Sequence, residues 1–422
     1  MGVSAINEFI MEAFPPEVLA KIFSYLSGKD IAGVAEVCRS FYEASRIENV
    51  WRARCAQEFA VKVKHGGNLI FKDVYTKLLH KYRYCLGLWQ PQVSSYGGLF
   101  QVMFDPELVS IVGTELMPPL DPFITEPLRK KMLFSIPVYR ENDEDVICVG
   151  GYKGPHEAVI LEISKDEFMF KCCDSSHHRH PNGKHQELRE FLSEHSSVPL
   201  DMHQFPHSQE MLLMKFLILR QFDYAFHYKR VRLQAPLTGV PIQPGIFKGT
   251  YGTHGVELIQ IEYIDNCTKL RATKLSCFCI AFLFLQGHHP CYLKYQGDPN
   301  IPSGQVTFEV VLQYSMVLTA QQQASITSLD AIEVQAADIP CNSVPIASQP
   351  FCVPGDCHER FHEIPKVCIA RYHGLGQVAG HGFTNPSFSR GHWVIFSEDL
   401  FGFLWLELLS LSMYHRVKED LA

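Results

Sequence analysis

Residues 171–180 read Lys-Cys-Cys-Asp-Ser-Ser-His-His-Arg-His, which places two cysteines and three histidines inside ten positions. Thiolate and imidazole are the donors of zinc chemistry. The adjacent pair Cys172 and Cys173 is poor redox material, because the usual motif is Cys-X-X-Cys. Adding Cys148 and His156 from upstream gives Cys148, His156, Cys172 and His178, a set with 7, 15 and 5 intervening residues. Two strands and their connections can bring such a set together tetrahedrally, although the spacing is that of no standard finger. On the residues alone two readings stand: a metal site, and a polar turn with an incidental buried cysteine.

Two further patterns carry possible chemistry. His358-Glu359-Arg360-Phe361-His362 satisfies H-E-x-x-H, in which a helix presents both imidazoles to zinc and the glutamate acts as base on a bound water. Pro354 and Gly355 precede it, Pro365 follows, and apolar periodicity is missing. It reads as linker, with a zinc metalloenzyme built on His358, Glu359 and His362 as the alternative. Gly374-Leu375-Gly376-Gln377-Val378-Ala379 matches a dinucleotide fingerprint after an apparent strand, but Gly380-His381-Gly382-Phe383-Thr384-Asn385-Pro386 cannot open a phosphate-binding helix. The glycines read as a tight β connection that lets backbone approach a neighbour.

The elements that must position these residues follow from periodicity. Val18, Leu19, Ile22, Phe23 and Leu26 recur at helical spacing after Pro15 and Pro16, which suit a helix start. Ile31, Val34, Ala35 and Cys38 continue as a second helix, and a third element carries Trp51. Phe71, Val74, Tyr75, Leu78, Leu79 and Tyr82 mark one face of a bracing helix. After Trp89 the chain turns to short runs such as LFQVMF, LFSIPVY, EAVILEI, VELIQIEYI, QVTFEVVLQ and FGFLWLEL, separated by Gly and Pro turns. That rhythm predicts an antiparallel barrel or sandwich. Helices are expected over HQELREFLSEH and SQEMLLMKFLILR, and a loose linker over 319–366.

Composition narrows the function classes. The 422 residues, 46% hydrophobic and 20% charged with a formal charge of -7, form neither a disordered chain nor a basic one. Protein partners are expected, with no nucleic acid and no membrane. The N-terminus lacks a basic stretch before an apolar core, so no secretory signal is read, and 14 cysteines then point to reduced thiols or metal ligands in cytosol or nucleus. The apolar run LSCFCIAFLFL (275–285) falls short of the ~20 residues that a membrane helix needs.

Phe14-Pro15-Pro16-Glu17-Val18-Leu19, Ile22-Phe23, Leu26, Asp30-Ile31, Val37-Cys38, Phe41 and Trp51-Arg52 resemble an F-box, with Phe14 where Leu is common. The blocks DVYTKLLHKYRYCLGLWQP, SYGGL, YKGPH, KDEF, LMKF, PGIFKGTYGTHGVEL, GDPNIPSGQ, AGHGFTNP and FGFLWLEL extend the resemblance, in order, to the F-box only protein 31 family. It implies an α+β, mainly β fold: a three-helix F-box at 10–55, a linker helix within 56–90, and an antiparallel β-barrel substrate-recognition domain at 91–422 with a zinc lobe at 146–180. It also implies one structural zinc, held by the Cys and His positions that match Cys148, His156, Cys172 and His178, which leaves Cys173, His177 and His180 as bystanders.

The implied function is that of a non-catalytic substrate receptor of an SCF ubiquitin ligase, in cytoplasm and nucleus and at the centrosome. It would dock through Pro15, Pro16, Glu17, Leu19, Ile22, Leu26, Val37, Cys38 and Trp51 on a Skp-type adaptor and through it on cullin and RING protein. Its substrates would be C-terminal ends of targets, D-type cyclins and C-terminally amidated chains among them, taken near Tyr251, Thr253, His254, Lys274 and Asp298. For these five residues a β-turn role is the competing reading. One departure adjoins them: the run at 276–296 is apolar, cysteine-rich and absent from the family pattern, either a genuine loop or translated intronic sequence. With it stands a third alternative, an adaptor-binding protein left inert by the insertion.

Overall fold

The computed structural model describes residues 14–61, 69–92, 97–119, 124–139, 145–195, 213, 216–217, 220, 224–250, 256–278, 301–330, 348–357, 364–380, 383–419 and 421. The F-box segment, read as three helices, shows four among its described residues: α1 (Pro16–Phe23), α2 (Gly28–Ala35), α3 (Arg39–Ser45) and α4 (Glu48–Phe59). Side-chain caps explain the extra break. Ser27 accepts from the Asp30 N–H to start α2, and Cys38 Sγ accepts from the Phe41 N–H at 3.5 Å to start α3. Leu19, Phe23, Ile31, Ala44, Val50 and Trp51 are buried between these helices, and the Trp51 indole N–H donates to the Ser45 carbonyl at 2.8 Å.

The bracing helix α5 consists of Phe71–Asp73, a π-helical stretch Val74–Leu79, and His80–Tyr82. All six residues of its predicted apolar face are buried. Its first turn is tied to α4 by Glu48, which accepts from the Phe71 N–H at 2.8 Å, and Glu58 accepts from the Tyr75 hydroxyl at 2.7 Å.

The region read as one substrate barrel holds two closed eight-stranded antiparallel barrels. The first runs β1 (Gly87–Pro91), β2 (Leu99–Asp105), β3 (Ser110–Met117), β4 (Arg129–Pro137), β5 (Val146–Cys148), β6 (His156–Ser164), β7 (Glu167–Cys172) and β8 (Ala225–Arg230), and β8 closes on β1. The second uses β9 (Gly245–Thr250), β10 (Val256–Ile264), β11 (Lys269–Phe278), β12 (Val306–Ser315), β15 (Ala370–Gly380), β16 (Thr384–Ser397), β17 (Leu400–Trp405) and β18 (Ser410–Arg416), and β18 closes on β9. A two-stranded ribbon of β13 (Gln349–Pro350) and β14 (Val367–Cys368) stands apart. Closure pairs both edges of each eight-stranded sheet.

Three features differ from the sequence reading. Gly374 and Gly376 lie within β15 rather than at a connection; a Cβ on Gly376 would stand 2.1 Å from the Trp405 ring and one on Gly374 2.7 Å from Phe403. The expected close approach is therefore of aromatic rings inside the second barrel. The segment read as linker is packed over its described parts: α7 (Ile326–Asp330) and Phe351 join Met316, Leu318, Val394 and Phe396 in a layer over the outside of the second barrel. Of the two helices expected between β7 and β8, the first is α6 (Lys184–His195), and the second falls almost wholly outside the described residues.

One core runs without a break from Leu19 and Trp51 through α5 into the interior of the first barrel, with Trp89, Phe134, Phe168 and Phe170. The second barrel has its own, built on Phe308, Trp393, Phe403, Trp405 and Tyr414. Leu88, Leu99, Leu116 and Leu128 meet Ile246, Leu258, Leu275 and Val417 in a smaller cluster that joins the two barrels. Backbone also bridges them, the Gly98 N–H donating to the Leu275 carbonyl at 3.1 Å.

Candidate metal centre and binding faces

Strand register assembles the four candidate ligands. Cys148 and His156 are direct cross-strand partners on β5 and β6, and Cys172 on β7 opposes Ala158. Side chains alternate along a strand, so His156 and Ala158 share a face, and with them Cys148 and Cys172. That face also carries Phe134 and Phe170 of the core. A 3-10 helix, Ser175–His178, capped by Asp174, then folds back and delivers His178 over the three. The ligand atoms lie within 4.8 Å of one another, and all four residues are buried. His178 Nε2 is 3.0 Å from Cys172 Sγ, 3.5 Å from Cys148 Sγ and 3.1 Å from His156 Nε2.

The donor set fits a tetrahedral divalent ion. Bonds of ~2.0–2.3 Å to N and S would separate ligands by about 3.3–3.8 Å, close to the spacing found. Next-layer contacts aim the rings. His156 Nδ1 meets the Gly154 carbonyl at 3.1 Å, which frees Nε2 as the ligand atom. The Tyr224 ring stacks on His178 at 3.6 Å between centroids, and Tyr224 holds that position from left-handed backbone at φ 56°. The thiols point the same way. A hydrogen bond from Cys172 holds the Cys148 thiol well below its usual pKa, and the same bond together with burial pushes that of Cys172 up. Two adjacent thiols cannot both ionise alone, whereas a cation between them would hold both as thiolates.

The neighbouring candidates point elsewhere. Cys173 is exposed, His177 pairs with Asp174 at 3.2 Å, and His180 pairs with Glu190 of α6 at 3.2 Å. His358, Glu359 and His362 lie outside the described residues; just before them Asp356 accepts from the Ile326 N–H at the start of α7.

The residues expected at the adaptor divide into two sets. Leu19 and Trp51 are core and Leu26 packs against it, while Pro15, Pro16, Glu17, Ile22 and Val37 are exposed and Cys38 is half-buried. Ile22 is 40% exposed and Val37 68%, with Val18 and Tyr25 exposed as well. A helical bundle that leaves this much apolar surface uncovered presents an interaction face.

Of the residues expected at a substrate pocket, Tyr251, Thr253, His254 and Asp298 lie outside the described residues. Lys274 is buried in the second barrel, its ammonium 3.3 Å from Glu257, whose other oxygen accepts from the Tyr414 hydroxyl at 2.6 Å. Lys248 on β9 is also buried, and its ammonium donates to the Glu126 carbonyl on the β3–β4 connection of the first barrel. Burial lowers the Lys248 pKa. Sequence reasoning missed Lys248, Glu257 and Tyr414, although a charge inside the apolar run Val256–Ile264 was a signal.

The chain is similar to known proteins over nearly its whole length. Residues 11–57 match the family model described as F-box-like, and residues 228–420 match the one described as Cyclin D1 binding domain. F-box only protein 31 of Rattus norvegicus is 35% identical over 450 residues, spanning 96% of this chain and 84% of the relative. The Homo sapiens protein of the same name is 33% identical over 468 residues, spanning 96% and 82%. F-box only protein 31-A of Xenopus laevis is 33% identical over 459 residues, spanning 96% and 84%.

Proposed function

Since the chain belongs to the F-box only protein 31 family, we propose that it is the substrate-recognition subunit of an SCF cullin-RING ubiquitin ligase. One observation carries the reading: a single chain joins an F-box-like segment, its apolar face uncovered at Ile22 and Val37, to a barrel matching a cyclin D1 binding domain. In this reading the chain makes and breaks no covalent bond itself. It holds a target close to the charged ubiquitin-conjugating enzyme, so that transfer proceeds at a high effective concentration.

The adaptor docks on Val18, Ile22 and Val37, while Leu19 and Trp51 shape the bundle beneath. The ion is zinc, structural in role, bound by Cys148, His156, Cys172 and His178. Such an ion supplies about 10–16 kcal/mol of apparent binding free energy, comparable with the net stability of a whole domain. The targets are C-terminal ends of proteins, with D-type cyclins and amidated chains as the specific class. Lys274 lies by the pocket, with Tyr251, Thr253, His254 and Asp298 contributing; an aspartate there accepts from an amide NH2 and repels a carboxylate.

The test is co-purification with a Skp-type adaptor. Ile22→Glu, at an exposed site, is expected to abolish the complex while circular dichroism and melting stay unchanged. A wild-type chain that binds no adaptor would end the reading.

A further inference from the structure

Helix α5 is gripped at both ends. At its start Glu48 and Glu58 of α4 hold Phe71 and Tyr75, and Trp51 lies against Tyr75 at 5.1 Å. At its end the Tyr82 hydroxyl donates to Asp145 at 2.8 Å, and Lys81 pairs with the same carboxylate. Asp145 immediately precedes β5, the strand that carries Cys148. Next along the chain, the Tyr84 hydroxyl donates to the Ile160 carbonyl at 3.3 Å on β6, the strand that begins with His156. On the barrel side the end of α5 is thus held by the two strands that carry the first metal ligands, and beside them by Arg230 of β8, whose guanidinium donates to the Tyr84 and Leu86 carbonyls at 2.6 and 2.8 Å.

Of these two strands β5 is sparsely paired, whereas β6 runs along β7 from Ala158 to Ser164. β5 has three residues, and it pairs with β4 only through Cys148 and Ile147. The middle of α5 is π-helical over Val74–Leu79, a rare geometry that is frequent at functional sites. The apolar face of α5 is packed in the core, and the polar contacts at its ends add direction to a helix that packing already holds. Crosslinking Cys148 to His156, Cys172 and His178 through an ion would pin β5 in the barrel and with it Asp145.

We propose that the metal lobe is a clamp on α5: the ion fixes, through Asp145 and Tyr82, the direction in which the F-box helices leave the barrels. The Asp145–Tyr82 contact then governs how productively a captured target is presented for transfer, and its loss alone leaves adaptor and target each still bound. This rests on the receptor reading above. Asp145 and Tyr82 are positioning residues; they touch neither metal nor target.

The experiment compares the full chain in its adaptor complex with and without a zinc chelator, and as the Asp145→Ala and Tyr82→Phe variants with metal in place. Amide exchange over 78–88 is expected to rise at least about tenfold in each case. In the two variants, with metal in place, zinc content, adaptor affinity and the Kd of a peptide ending in a D-type cyclin C-terminus are expected to hold within about twofold. Single-turnover transfer to that target is expected to slow about tenfold, as misplacement of a bound reactant does. Unchanged exchange over 78–88 after both chelation and Asp145→Ala overturns the clamp. So does, in Asp145→Ala with metal in place, a rise spread equally over 14–59 with parallel loss of adaptor affinity, because the contact would then serve only folding. Should Asp145→Ala fail to fold, Tyr82→Phe decides. If the wild-type chain binds no adaptor, the receptor reading falls, and the exchange measurement on the free chain still decides the clamp.

Discussion

His178 reaches the metal cluster from a 3-10 helix rather than from a strand, so its place depends on the Tyr224 ring stacked on it. Cys148→Ser is expected to reduce bound zinc from about one per chain to a small fraction, whereas Cys173→Ser, at an exposed site, leaves it intact; elemental analysis reads both. A second buried imidazole makes a pH prediction. His392 Nδ1 accepts from the Arg371 guanidinium at 3.2 Å, and burial, then Arg371, then His373, push its pKa well below the usual value. The unfolded histidine takes a proton below about pH 6.5 and the folded one does not, so this stability is full above about 6.5 and declines as pH falls below it. The slope approaches about 1.4 kcal/mol per pH unit. Urea midpoints measured at about pH 7 and about pH 5 should therefore drop less for His392→Gln than for the wild type.

Among elements, β15 shows how a chemical motif dissolves into packing. Its Gly-x-Gly pattern accommodates Phe403 and Trp405 of β17, so Gly376→Ala is expected to cost about 1–3 kcal/mol by overpacking, read as a lowered denaturation midpoint with the strand content unchanged. Local periodicity made α1, α5, α6 and most strands legible, because each buries one face at a fixed repeat. It missed the α2–α3 break, where a cysteine acts as the cap. The packed parts of 319–366 were also illegible. Gln323 there is fully buried and joins the nearby Leu318 carbonyl to the Pro350 carbonyl, the Cys352 N–H and Arg371, three partners distant in sequence. Its Gln-, Ser- and Pro-rich composition carries no trace of that network.

At the scale of the whole molecule, the F-box helices and the first barrel share one core while the second barrel has its own, joined through a small leucine-rich cluster. Chelation should therefore act on one half. Calorimetry is expected to show the transition of the F-box and first barrel moving down by more than ten degrees or so, with that of the second barrel nearly unmoved. Trp51 and Trp89 report the first unit and Trp393 and Trp405 the second, so fluorescence of a Trp393→Phe, Trp405→Phe chain follows the first alone.

The sequence by itself determined the local elements, the family blocks and which two cysteines and two histidines make a set. Those follow from repeats of a few residues and from motifs read in order. Only the tertiary structure decided that the β region closes as two barrels, since closure depends on β8 meeting β1 and β18 meeting β9 across more than a hundred residues in each case. It alone also separated the apolar F-box residues into a buried Leu19 and an exposed Ile22. Helical spacing places both near one face, and only the neighbours that pack there divide core from surface.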